Sequence, residues 1–352
     1  MAQSIRGNVP IRDLAFFCRQ MALVLHSDIT VMEGVQILID QTENALLKRA
    51  LGDIYQDMEN GTPFADAFDK HRGAVFPAYL ANMVIIGGKS GTSDVVFAQM
   101  ADYYEKDNKV RQKVKSAIMY PAILTILMIG IVILLIVKIL PMFNEVLVSM
   151  GGTLPAVTQS MMNLSRFASG NFLLILIVII LIIIGLVFYF RTPGGTLFVD
   201  RMKITAPLVR GVFIRIVTAR FARSLGILLK SGVSLLSSLE MMENLIDNSF
   251  VEEKFRKTRE VLSEGSGLVS SLAQTEVFQP LFLRLVSVGE RTGFLDDMMI
   301  KSADVFDEEV DGALERLTSF IEPLIIVVLS VIVGVILLSV MLPVISIMNA
   351  IG

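Results

Sequence analysis

The chain has 352 residues, room for two or three soluble domains, yet 53% of them are hydrophobic and the mean hydropathy is +0.66, more than a soluble chain of this length carries. Lys+Arg 31 against Asp+Glu 34 leave a net charge of −3 with no block of like charge, so a basic stripe for nucleic acid is excluded. One cysteine, Cys18, and two distant histidines, His26 and His71, exclude a disulfide framework and leave too few ligands for a zinc site; no cofactor is expected.

Residues 1–117 read as a cytoplasmic helical bundle. The first thirty residues are broken by Arg12, Asp13 and Arg19, so no cleaved signal is expected. Leu14, Phe17, Cys18, Met21 and Leu25 recur at three- and four-residue steps, which lays an apolar stripe along one helix face. Thr30 with Glu33 makes a capping box, and Gly61-Thr62-Pro63 reads as a helix stop, an N-cap and a first-turn proline. Gly87 to Thr92 breaks the chain again. Roughly six helices joined by short turns make a small all-α bundle.

Three apolar runs follow, at Ile118–Leu140, Phe172–Phe190 and Leu324–Ile347, of 23, 19 and 24 residues. Each is long enough for a hydrocarbon core of about 30 Å, so three transmembrane helices are expected, at 118–140, 172–190 and 321–348. Lys138 sits where its stem reaches the interface. Lysines and arginines crowd the approach to the first span and the exit from the second, whereas the link 141–171 carries only Arg166. That link is therefore expected outside, with 191–320 forming a second cytoplasmic bundle and, by the odd number of spans, 349–352 across the membrane.

The two cytoplasmic segments repeat each other. Phe17-Cys18-Arg19 answers to Phe221-Ala222-Arg223, and Gly61 to Gly265, at an offset of 204 residues. Phe76, Gly87, Gly91, Ala101, Tyr104 and Pro121 match Phe278, Gly289, Gly293, Ala303, Phe306 and Pro323 at 202. The fold class expected is all-α and membrane-integral: two duplicated bundles, each leading into a span, with one extra span between them.

The segments that come nearest to catalytic motifs are incomplete. Gly88-Lys89-Ser90 invites a phosphate-loop reading, but Met83 stands where the loop needs glycine, and Gly289-Glu290-Arg291-Thr292-Gly293 has no Gly-Lys-Ser at all. Gly265-Ser266-Gly267 falls short of a nucleophile elbow. A transporter built on repeats would also be duplicated, but it would place ionisable groups near the bilayer midplane, and none of the three runs does. Tyr120-Pro121 and Glu322-Pro323 stand at the starts of the first and third spans, where a first-turn proline forfeits no helical hydrogen bond. Glu322 either stays hydrated, the favoured reading, or pairs with a neighbouring basic side chain.

Val114-Lys115-Ser116-Ala117-Ile118-Met119-Tyr120-Pro121-Ala122 resembles the signature of the inner-membrane platform proteins of type IV pilus and type II secretion machines, the type II secretion system protein F family. The resemblance continues through Pro141-x-Phe143, Gly152-x-Leu154-Pro155, Gly289-Glu290-Arg291-Thr292-Gly293, Glu322-Pro323-Leu324 and Leu342-Pro343. It marks Lys115, Tyr120, Pro121, Leu154, Pro155, Gly289, Glu290, Gly293, Glu322, Pro323 and Pro343 as interaction candidates. In the first copy Gly88 stands where glutamate is common and Ser93 where leucine is common, so an acidic contact is expected only from Glu290. The resemblance implies a non-enzymatic homo-oligomer in the lipid bilayer of the bacterial inner membrane. Its implied partners are a cytoplasmic hexameric assembly ATPase, pilin or pseudopilin subunits and other inner-membrane assembly proteins.

Overall fold

In the computed structural model the described residues are 9–27, 29–139, 192–242, 245–246 and 248–351, with 141, 142, 145, 171 and positions scattered from 174 to 190. These residues contain no strand, only an isolated bridge between Arg72 and Phe76, and are all-α. The helices are α1 Ile11–His26, α2 Val31–Gln41, α3 Ala45–Glu59, α4 Phe64–Asp69, α5 Ala78–Ser90 and α6 Ser93–Leu134, which ends in a π turn at Leu135–Ile139. After the link come α7 Pro193–Thr205, α8 Pro207–Lys230, α9 Leu235–Met241, α10 Ser249–Ser263, α11 Leu268–Ala273, α12 Pro280–Thr292 and α13 Leu295–Ile351.

Local chemistry sets the starts and stops. Thr30 accepts from the Glu33 amide at 3.2 Å, Asn44 from the Leu46 and Leu47 amides, Ser234 from Ser237 and Asn248 from Val251, satisfying first-turn donors that helices leave open. Gly61 and Gly265 both carry positive φ, +86° and +95°, and end α3 and α10 in the left-handed geometry that glycine adopts without strain.

The chain divides into two compact units, residues 1–113 with 200–313, and 114–199 with 314–352. In the first unit one continuous core runs through both helical sets. Leu14, Phe17, Cys18 and Met21 of α1 are buried, so the expected stripe faces inward, and Val217, Phe221, Leu225 and Leu228 of α8, its counterpart in the second set, are buried likewise. Phe17 sits within about 6 Å, ring centre to ring centre, of Phe68, Phe76 and Phe97. Phe221 is set likewise among Phe255, Phe278 and Phe282. Burial pushes the Cys18 thiol far above its ordinary pKa, which leaves it inert.

The second unit has the opposite character. Ser93–Ile139 and Leu295–Val335 are long and apolar enough to cross a membrane, and the most apolar stretch of each stands open, not packed inside the protein. Ile126, Leu127, Val331 and Leu338 are among the exposed side chains. The described positions from 174 to 190 are helical and exposed; the rest of 172–190, and nearly all of the link 141–171, lie outside the described residues.

Candidate interaction site

The Gly289-Glu290-Arg291-Thr292-Gly293 segment is built by the corner between α12 and α13. Gly293, at φ +78°, caps α12, and Gly91, at φ +72°, caps α5 in the same way. The expected chain break at Gly87 to Thr92 is narrower in the structure: Gly87 to Ser90 remain helical, and only Gly91 turns left-handed. Gly289 and Gly87 serve close packing instead. A Cβ on Gly289 would lie 2.9 Å from Met298 Cβ and 3.0 Å from Leu295 Cα, and one on Gly87 would lie 3.0 Å from Ser93 Cα. Gly293→Ala, with open space around its Cβ, is expected to cost only the left-handed backbone, about 1–2 kcal/mol. Gly289→Ala forces two helices apart and is expected to cost more, up to about 3 kcal/mol, in denaturant unfolding of the full chain.

Glu290 accepts from the Leu268 amide at 3.3 Å and so caps α11 from 22 residues away. In the first helical set the corresponding Gly88 leaves no such acceptor, and a Cβ there would already meet Ala65 at 3.1 Å. Its helix α4 starts behind Pro63, without a side-chain cap. The acidic contact thus exists in the second set and is replaced by close packing in the first.

Tyr120, Pro121, Glu322 and Pro323 lie in the second unit, on α6 and α13. The Tyr120 hydroxyl donates to Glu322 Oε1 at 3.4 Å, and both side chains are exposed. A first-turn position for the prolines is not what the structure has. α6 runs unbroken from Ser93 and α13 from Leu295, so Pro121 and Pro323 are deep inside helices. Each therefore removes an amide from the ladder, leaving the carbonyls of Ala117 and Ser319 without that helical donor. The reason is that the charged approach, rich in lysine, arginine and glutamine, is itself strongly helix-forming, so the helix does not begin where the apolar run begins. Lys115 is exposed on α6, Pro343 lies on α13, and Leu154 and Pro155 fall outside the described residues.

The most concentrated polar arrangement is one that sequence reading missed. Asp107, nearly buried on α6, takes the Arg111 guanidinium at 2.9 Å and Arg220 of α8 at 2.6 Å. Arg223 of α8, also buried, reaches Asp307 at 2.7 Å and Asp304 at 3.2 Å on α13, and Lys106 reaches Asp304 at 2.5 Å. Lys113 pairs with Asp311 two turns further along. Burial raises the Asp304 carboxyl, but Lys106 and Arg223 outweigh it and hold it below the ordinary carboxylate range. That pairing is complete at neutral pH and is lost only as acid takes the solution down through the lowered value. Burial pushes the Tyr103 hydroxyl beside Arg220 up to about 12. For the Arg223 pairs the signal was present in the matching offsets. Arg19 grips Asp102 and Glu105 in the first set, and those residues correspond to Arg223, Asp304 and Asp307 at the same offsets of 204 and 202.

The geometry defines an all-α protein whose glycine corners serve packing and capping, joined to membrane-length helices. The family model described as "Type II secretion system (T2SS), protein F" matches the chain twice, over residues 17–141 and 221–343, and the chain belongs to this family. It is 34% identical over 343 residues to the type IV pilus assembly protein PilC of Thermus thermophilus, covering 97% of this chain and 84% of that one. It is 33% identical to PilC of Myxococcus xanthus, covering 98% and 82%, and 30% identical to the type II secretion system protein F of Vibrio cholerae, covering 98% and 85%.

Proposed function

We propose that the chain is a non-enzymatic inner-membrane platform that couples a cytoplasmic hexameric assembly ATPase to the extraction and polymerisation of pilin or pseudopilin subunits. The observation that carries this is the double match to the family, in register with the glycine, phenylalanine and ion-pair correspondences of the two helical sets. In this reading the chain is a duplicated bundle-plus-span unit with a third span at 172–190 returning it to the cytoplasm. The lysine and arginine bias supports both bundles lying on the cytoplasmic side, where a nucleotide-powered motor reaches them, and an odd number of spans then leaves the C-terminus in the periplasm. The exposed apolar helices give the hydrophobic segments of pilins a surface within the bilayer.

α6 and α13 leave the bundles without a break, so they are the elements that carry motor displacement toward the membrane, and Tyr120-Pro121 and Glu322-Pro323 are where that displacement is converted. Glu322→Ala is expected to reduce surface pili while the protein stays at normal level in the membrane. Glu290→Ala is expected to weaken co-purification of the ATPase, and Glu290→Gln, which keeps the acceptor for α11, to restore the fold without the charge. Unchanged assembly and unchanged ATPase capture in both alanine variants would remove these residues from the mechanism.

A further inference from the structure

The two helical sets of the first unit meet in an unsymmetrical way. α6 and α5 of the first set present one face and α8 of the second set presents a different one, flanked by the Lys106–Asp304 and Lys113–Asp311 pairs between α6 and α13. Tyr79 donates to the Ser224 carbonyl at 3.3 Å, Ser231 to Gln99 at 3.4 Å, and Asp107 binds Arg220. The α8 positions used, 220, 224, 227 and 231, form a single stripe at four- and three-residue steps. The repeat copies that stripe onto α1 as Phe16, Gln20, Leu23 and Ser27, and copies the α5 and α6 face onto α12 and α13, where Leu281 stands for Tyr79 and Val305 for Tyr103.

Burial reveals what has happened to the copies. Tyr79, Tyr103 and Ile227 are 4%, 5% and 5% exposed, whereas Leu281, Val305 and Leu23 are 45%, 38% and 59% exposed, and Phe16 is 50% exposed. Each helical set thus uses one of its two faces inside the molecule and leaves the other open. The open pair is the same complementary pair of helix faces. An interface made of two different surfaces is heterologous, and when both surfaces recur on one molecule it propagates from copy to copy.

We infer that the open α12 and α13 face, centred on Leu281 and Val305, docks onto the open α1 stripe of Phe16 and Leu23 in a second copy of this chain, repeating head to tail the contact between its own two halves. This rests on the duplication and self-association read above and gives them a surface and a direction. The ionic pairs are not copied, because Phe16 replaces Arg220 and Glu308 replaces Lys106. Apolar contact carries the association, which is accordingly weaker than the internal one and depends on the density of the protein in the membrane.

The test is cysteine cross-linking of the full chain in native membranes, where buried Cys18 is a silent background. Ser27→Cys and Lys301→Cys occupy exposed positions equivalent to Ser231 and Gln99. Chains carrying one each, produced together, are expected to shift from monomer to dimer mass on oxidation, and the double variant to give a ladder. Either single variant alone is expected to stay monomeric. Dimers from one single variant alone would mean a like-to-like contact and overturn the inference. Gln99→Cys with Ser231→Cys in one chain is the internal reference. If that bond forms and the Ser27 and Lys301 pair does not, only the repetition between copies is wrong. If neither forms, the packing of the two halves falls with it, and with it the structural footing of the duplication; pilus assembly scored in the same cells tests the platform role separately.

Discussion

Asp107→Ala is expected to lower the thermal midpoint of the solubilised chain by roughly 6–12 °C, the equivalent of about 3 kcal/mol in a unit of this size. Asp107 is almost closed to water and serves two guanidiniums at once, with Arg220 largely covered. Removing the carboxylate takes the shared acceptor from both cations, and a covered cation cannot recover its hydration. Arg220→Ala is expected to cost less, because Asp107 keeps Arg111 at 2.9 Å. The order of the two effects, read from calorimetric or fluorescence melting, is the check: an Arg220→Ala penalty equal to or above that of Asp107→Ala would show that α6 and α8 are not held through this carboxylate.

Phe17→Ala and Phe221→Ala are expected to be the most damaging single truncations, each costing about 3–5 kcal/mol. Both rings are buried at about 1% exposure and each stacks or abuts three other phenylalanines, so a cavity opens where three neighbours cannot all collapse inward. Because the sites occupy corresponding places in the two helical sets, their penalties are expected to agree within the spread of such measurements. Denaturant midpoints for the two variants, compared with Phe17→Leu and Phe221→Leu, separate lost volume from lost aromatic contact. A Phe17→Ala unfolding free energy within about 1 kcal/mol of the parent would show that the first set is held together elsewhere.

Elements whose cause is local were legible in the sequence. The α1 stripe, the Thr30 cap and the glycine breaks at 61 and 91, with their repeats at 265 and 293, are each dictated by residues within a turn or two of themselves. What failed was the placement of a boundary by hydropathy. Lys109, Arg111 and Lys113 look like a polar edge, but in helical terms they continue α6 without interruption, which is why Pro121 lies inside a helix. The Asp107 cluster was invisible for another reason: its partners are 113 residues apart, and an ion pair has no period. The matching offsets of Arg19 and Arg223, and of their acidic partners, pointed only to the neighbouring Arg223 pairs. Of the interaction candidates, Gly289, Glu290 and Gly293 have a physical role in the corner they build, while Tyr120 meets Glu322 by an exposed contact.

The long separation between Asp107 and Arg220 also bears on how the protein is made. A ribosome working at roughly 5–20 residues per second takes about 6–23 s to cover those 113 positions, during which apolar chain must be delivered to the bilayer. Through that interval the newly finished amino-terminal half has Tyr79 and Tyr103 uncovered and Asp107 without its second cation. An expressed fragment ending before α8 is frozen at that moment of biosynthesis, and its sticky face belongs to an unfinished molecule and not to the working one.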